Sequence, residues 1–162
     1  MTAVVKASAF SKGIQPVVTG DCAGDVVVND LYIDVTAAQL TLNAMFDIGP
    51  LPAGHKLVDC ILLPDDLDTN GAPLVTLDVG MLTGTIGDDV ADRTMDAVIF
   101  AASTAAQTGA AARPTLATAF KILPSASDRS IGVKVAAIPA TAAAGRIRLR
   151  TLIAPAAYQQ QF

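Results

Sequence analysis

Apolar and polar residues alternate with period two along much of this chain, the pattern of strands with one face buried and one face wet. Leu31, Ile33 and Val35 share a face, with Tyr32 and Asp34 opposite. Leu40, Leu42, Ala44 and Phe46 line up against Thr41, Asn43 and Asp47, and Val75, Leu77 and Val79 against Thr76 and Asp78. Ile131, Val133 and Val135 flank Lys134 in the same way. The clearest case is Arg146–Leu152, where Ile147 and Leu149 point inward and Arg146, Arg148 and Arg150 outward. Leu57–Leu63 is apolar on both faces apart from Asp59, which predicts a central strand. Val4–Ala9 and Asp25–Val28 are weaker strand candidates. Asp89–Ala102 is ambiguous, a short helix N-capped by Asp88 or Asp89 passing into a strand near Val98–Ala101. Ala101–Ala112 reads as a loop or a short helical turn.

Turn signals punctuate these segments at Gly49–Gly54, Asn70-Gly71, Gly84–Asp89, Arg113-Pro114, Pro124–Asp128 and Pro139–Gly145. Prolines spaced in this way leave little room for a long helix. About eight short strands follow, enough for two packed layers, so the expected fold class is all-β, an antiparallel β-sandwich. The organisation expected is an N-terminal arm and first strand over 1–30, a β-sandwich over 31–153, and a C-terminal tail over 154–162. Both ends must be held, either on their own sheet or on a neighbouring subunit.

Composition sharpens this reading. Of 162 residues 52% are apolar but only 4% aromatic, so the core rests on Val, Leu and Ile with few large anchors. All 15 acidic residues are Asp; Asp favours turns, and the missing Glu is the ordinary residue of exposed helix faces. Net charge is −4 without a run of Lys or Arg, which predicts no direct nucleic-acid partner and no anionic membrane surface. The start has no apolar stretch of signal-peptide length, and Ala97–Ala112 is too short and too interrupted to span a bilayer. Synthesis in the cytoplasm without a standard export signal is therefore expected.

Candidate chemistry is sparse. Asp66, Asp68 and Asn70, followed by Gly71, match the opening of a calcium loop, but the twelfth position is Leu77 rather than Glu, and Pro73 interrupts the path. A hairpin turn at Asn70-Gly71 explains the same letters. His55 is the only histidine, placed in a loop before a strand; no Gly-x-Ser-x-Gly elbow accompanies it, and an exposed loop position is expected. Cys22 and Cys60 lack zinc spacing and read as small buried residues, pairing only in an oxidising medium. Asp65-Asp66 and Asp88-Asp89 fall at turns, and the glycines near Gly84 precede like charges that would repel a phosphate. No catalytic residue, cofactor or enzyme activity is expected.

The stretch Leu51-Pro52-Ala53-Gly54-His55-Lys56-Leu57-Val58-Asp59, with Asp65–Gly71, Leu74–Gly80 and Asp92-Arg93 followed by an Ala-rich segment, resembles a block in tailed-bacteriophage virion proteins. The ending, Ala142-Ala143-Ala144-Gly145 before a last alternating strand, is similar too. The resemblance, over about Leu40–Leu152, is to head-associated structural proteins that include capsid decoration, or cement, proteins. It implies a jelly-roll-like sandwich on the outer capsid surface of the virion, clamping neighbouring subunits of the major capsid protein and forming a homodimer or homotrimer. Interface candidates are Val4, Val5, Phe10, Arg146, Arg148, Arg150, Tyr158 and Phe162. The three arginines read either as a solvated face or as a contact for an acidic partner. The alternative is a head-fibre or tail adhesin module binding host glycans, for which two Tyr, five Phe and no Trp supply few stacking surfaces.

Overall fold

The computed structural model describes residues 2–17, 25–89 and 92–156, which form two facing β-sheets. Among the described residues the strands are β1 (Thr2–Ala7), β2 (Val27–Val35), β3 (Met45–Leu51), β4 (His55–Pro64), β5 (Thr76–Leu82), β6 (Asp92–Arg93), β7 (Met95–Ser103), β8 (Arg129–Ala137) and β9 (Gly145–Pro155). One sheet has six strands in the order β6-β1-β3-β8-β5-β7 and the other three in the order β2-β9-β4. The expected all-β sandwich is what the chain builds. Its pairs are antiparallel except β1 with β3, which is parallel. Thr2–Ala7 thus lies on the protein's own sheet.

The alternating positions supply the core. Leu31, Ile33, Ile147, Leu149 and Leu62 of the smaller sheet meet Phe46, Ile48, Leu77, Val79 and Val133 of the larger, each at most 2% exposed. Burying one such side chain stabilises by about 1.5–3 kcal/mol, so this layer drives the fold. Where the β5–β7 register shifts between Val79 and Met81, a Cβ on Gly80 would lie 1.6 Å from the Asp96 carbonyl oxygen. Only glycine fits there.

Several expectations are corrected. The central strand of the smaller sheet is β9, which carries the arginines, whereas the apolar β4 is a flank. The outer edge of β4 is met by the loop after β7 through a two-way backbone pairing of Leu62 with Ala112 and by the Arg113–Asp59 ion pair. Leu40–Ala44 is not a strand. Ala37–Gln39 forms one 3₁₀ turn, tied back by the Thr36 N–H to Gln39 Oε1 (2.9 Å), and Asn43 takes a left-handed φ of 62°. Leu42 is consequently exposed rather than inward.

Asn70-Gly71 does not close a hairpin, because β4 and β5 belong to different sheets and this segment crosses between them. Between Asp89 and Ser103 the described residues hold no helix: Asp92–Arg93 is strand, paired with Thr2 and Ala3. A helix there would forfeit that edge pairing.

Candidate assembly surfaces and their polar supports

The most unusual cluster is one that patterning hides. Asp47 alternates as an outward residue, yet it is fully buried in β3, because the segment after β1 folds over that face. Its Oδ2 accepts from Arg93 Nη1 (2.7 Å), Ser130 Oγ (2.8 Å) and the Gly87 N–H (3.0 Å), and its Oδ1 from Ser11 Oγ. Arg93, 1% exposed, also donates to the carbonyls of Thr83 (2.5 Å) and Asp88 (3.1 Å). One ion pair therefore joins β3, β6, β8, the N-terminal loop and the loop after β5. Gly87, at φ 76°, has the Ser11 carbonyl oxygen 2.7 Å from where a Cβ would sit. No local signal announces Arg93 as buried; its partner lies 46 positions away.

The arginine stripe is half-buried, and two of its three guanidiniums are paired within the protein. In the β2–β9 register Asp30 opposes Arg150, Tyr32 opposes Arg148, and Asp34 opposes Arg146. Arg150 grips Asp30 through Nε (2.7 Å) and Nη2 (3.1 Å), and Arg146 grips Asp34 likewise at 2.7 and 3.0 Å. The hydrogen bonds from Arg150 and Arg146 hold both carboxyls below their ordinary range. Arg146 also stacks 4.3 Å from the Tyr32 ring centre. Arg148 alone of the three has no ion pair among the described residues. The stripe is thus largely neutralised from within, which weakens it as a contact for an acidic partner.

Of the other interface candidates, Val4 and Val5 lie in β1, inside the larger sheet. Phe10 packs on the core and meets the Tyr32 ring edge-on at 5.4 Å, so it anchors the N-terminal loop over the smaller sheet. Tyr158 and Phe162 lie outside the described residues. The exposed apolar side chains that sequence reading missed are elsewhere. Leu42, Leu74 and Ile138, 58%, 61% and 52% exposed, sit in the loops β2–β3, β4–β5 and β8–β9, all at one end of the sandwich. Phe120, 52% exposed, lies on a 3₁₀ segment (Ala117–Lys121) that is tied to β7 by Thr118 Oγ1 donating to the Val98 carbonyl, and Leu123, 76% exposed, follows it.

Asp68 organises that loop end. Its carboxylate accepts the N–H groups of Thr141 (2.7 Å), Leu74 (2.7 Å), Ala140 (2.8 Å), Val75 (3.2 Å) and Asn70 (3.4 Å). Burial pushes its pKa up, but these amides outweigh it and hold the carboxyl well below the usual range. With its oxygens taken by backbone donors, Asp68 is a loop staple rather than the calcium ligand its spacing suggested. Asp66 and Asn70 make similar turn bonds, accepting from the N–H groups of Asp68 and Ala72.

His55, expected in an exposed loop, begins β4 and is buried. Its Nδ1–H donates to the Ala53 carbonyl (2.8 Å), leaving Nε2 buried without a partner among the described residues. His55, Ser11 and Asp128 line one cleft, but they form no triad. Ser11 Oγ bonds Asp47, and Asp128 accepts the Ala53 N–H. Cys60 is fully buried, as expected, and desolvation together with the Asp59 charge pushes its thiol up to about 12. Cys22 lies outside the described residues.

No protein-family model and no curated protein sequence matches this chain. Solved structures do. A chain in the capsid of Ralstonia phage GP4 is 41% identical, with a TM-score of 0.88 over 92% of this chain and 96% of that one. A chain in the cyanophage Pam1 capsid asymmetric unit is 26% identical, with a TM-score of 0.66 over 87% of this chain and 93% of that one.

Proposed function

The chain belongs to the family of bacteriophage capsid proteins that includes this chain of the Ralstonia phage GP4 capsid, and from that premise we propose that it is a decoration, or cement, protein. In this reading it is non-enzymatic, sits on the outer surface of the shell, and clamps neighbouring subunits of the major capsid protein. It is a virion structural protein; its place in the shell is the proposal. The observation that carries it is near end-to-end likeness to a capsid chain by a small sandwich that exposes Leu42, Leu74 and Ile138 at one loop end.

The physical case is additive. The strand orders β2-β9-β4 and β3-β8-β5-β7 support a jelly roll whose eighth strand is reduced to the Leu62–Ala112 bridge, leaving the loops at both ends free to vary. Leu42, Leu74 and Ile138 offer an apolar contact, and Asp68 braces the loops that carry Leu74 and Ile138, so little ordering cost remains there on docking. A clip repeated over a closed shell turns modest contacts into large avidity. An acidic chain suits the outside, since an inner surface would face packaged DNA. Self-association into a dimer or trimer follows from docking at capsid symmetry axes. Tyr32, engaged by Phe10 and Arg146, is not offered to a sugar, and the glycan-binding alternative draws no support.

Heating particles with and without the protein tests the clamp. Particles lacking it should rupture at a lower temperature and regain the wild-type value when the purified protein is added back; an unchanged rupture temperature would overturn clamping.

A further inference from the structure

At the end of the sandwich opposite Leu42 and Leu74, the N-terminal loop, the β3–β4 turn and the segment before β8 enclose a surface cleft of about 670 Å³. Two buried acceptors on its wall have no donor among the described residues: His55 Nε2 and Gln15 Oε1. The tautomer of His55 follows from its geometry, because Nδ1 must carry the proton to bond the Ala53 carbonyl, which makes Nε2 an acceptor. An exposed carboxylate completes the lining: Asp128, whose Oδ1 accepts the Ala53 N–H (2.7 Å). Leaving buried acceptors unpaired is costly, so such groups persist where something satisfies them. The cleft's own cation, Lys12, is held by Asp89 at 2.6 Å. Phe10, Pro50 and Pro52 supply flat apolar walls.

Two buried acceptors and an exposed carboxylate, beside an aromatic ring and proline faces, match one side chain. A guanidinium presents five N–H donors in a plane and stacks on such surfaces, with its aliphatic stem against apolar walls. We infer that this cleft is a socket for an arginine side chain of a neighbouring capsid subunit. The arginine chemistry rests on the cleft alone; its source in a capsid subunit rests on the decoration reading. The socket gives the clip a second foothold, polar where the opposite loop end is apolar.

His55 is the only histidine, so ¹⁵N–¹H correlation of imidazole resonances in the full-length protein reads Nε2 without assignment ambiguity. N-acetyl-arginine amide should shift that signal saturably with a dissociation constant on the order of 1 mM, the range of a single-residue probe. N-acetyl-citrulline amide, equal in shape but uncharged, should bind at least about fivefold more weakly. Gln15→Leu, on a loop rather than in the core, should weaken the arginine response at least about fivefold while leaving Tm unchanged or higher.

No response to arginine, or equal responses to both probes, overturns the socket whether or not the protein decorates a shell. A lower Tm in Gln15→Leu does the same, since it would give Oε1 a structural partner. A saturable arginine response in a protein that fails to bind shells would uphold the socket and sink the decoration reading. With shells bound, Gln15→Leu should lower occupancy; undiminished occupancy would remove the capsid subunit as the source of the arginine.

Discussion

Replacing Arg93 by methionine removes the cation that faces Asp47 and keeps most of the side-chain volume. Asp47 would then hold its charge at 0% exposure with only Ser11, Ser130 and the Gly87 amide as donors. The carbonyls of Thr83 and Asp88 would lose their guanidinium donor at the same time. Breaking a buried ion pair from one side costs about 3–5 kcal/mol, against a total stability of about 5–15 kcal/mol for a folded domain. At about 2–4 °C per kcal/mol for a chain of this size, Tm should fall by roughly 6–20 °C.

Chemical denaturation followed by far-ultraviolet circular dichroism gives the free energy directly, provided the slope with denaturant is unchanged. The double variant Asp47→Leu/Arg93→Met removes both charges, and replacing a whole buried pair by apolar groups is often neutral. It should therefore recover at least about 1 kcal/mol relative to Arg93→Met alone. An Arg93→Met cost below about 1 kcal/mol would refute the reasoning, as that is the scale of an exposed ion pair. A double variant worse than the sum of both singles would refute it too.

The other expectations are as specific. Gly80→Ala should abolish soluble expression, because its Cβ would meet the Asp96 carbonyl oxygen at 1.6 Å and β5 and β7 would have to part; a soluble variant with a wild-type spectrum would contradict that. Asp68 binds its proton less tightly folded than unfolded, so its contribution is complete above the unfolded carboxyl value of about 3.9 and is lost as pH falls through the folded one. Asp68→Asn should accordingly flatten the decline of Tm between pH 5 and pH 2, measured by thermal scans; an identical slope would show that the amides do not hold the charge. In a Cys22→Ser background, Cys60 should stay silent to a thiol reagent at pH 8 until the protein is unfolded, since burial and Asp59 push its thiol up to about 12. Rapid labelling of the native state would contradict its burial.

Much of the fold was legible because period-two alternation reports burial directly. The inward set of Leu31, Ile33, Ile147, Leu149, Ile131 and Val133 is the observed core, and the Pro and Gly clusters fell between strands. What alternation does not encode is which strands are neighbours. The arginine strand therefore became the sheet centre without notice, and its partners Asp30 and Asp34 emerged only from the β2–β9 register.

A buried charge breaks the rule altogether. Asp47 sits at an outward position, but the N-terminal loop covers that face, and nothing near Asp47 or Arg93 in the chain says so. Asp66, Asp68 and Asn70 show the converse failure. Spacing identified oxygen donors at a turn, while two of the five amides that occupy Asp68 come from residues 72 and 73 positions away. The acceptors around His55 were equally invisible, since Gln15 and Asp128 reach the cleft from different loops.

The most direct measurement is a reconstruction of the phage particle by electron cryomicroscopy. The account predicts this sandwich outside the shell, straddling boundaries between major capsid protein subunits at near their copy number, with an arginine from one of them beside His55. Density for the chain lining the DNA-filled interior, or confined to the tail, would contradict it.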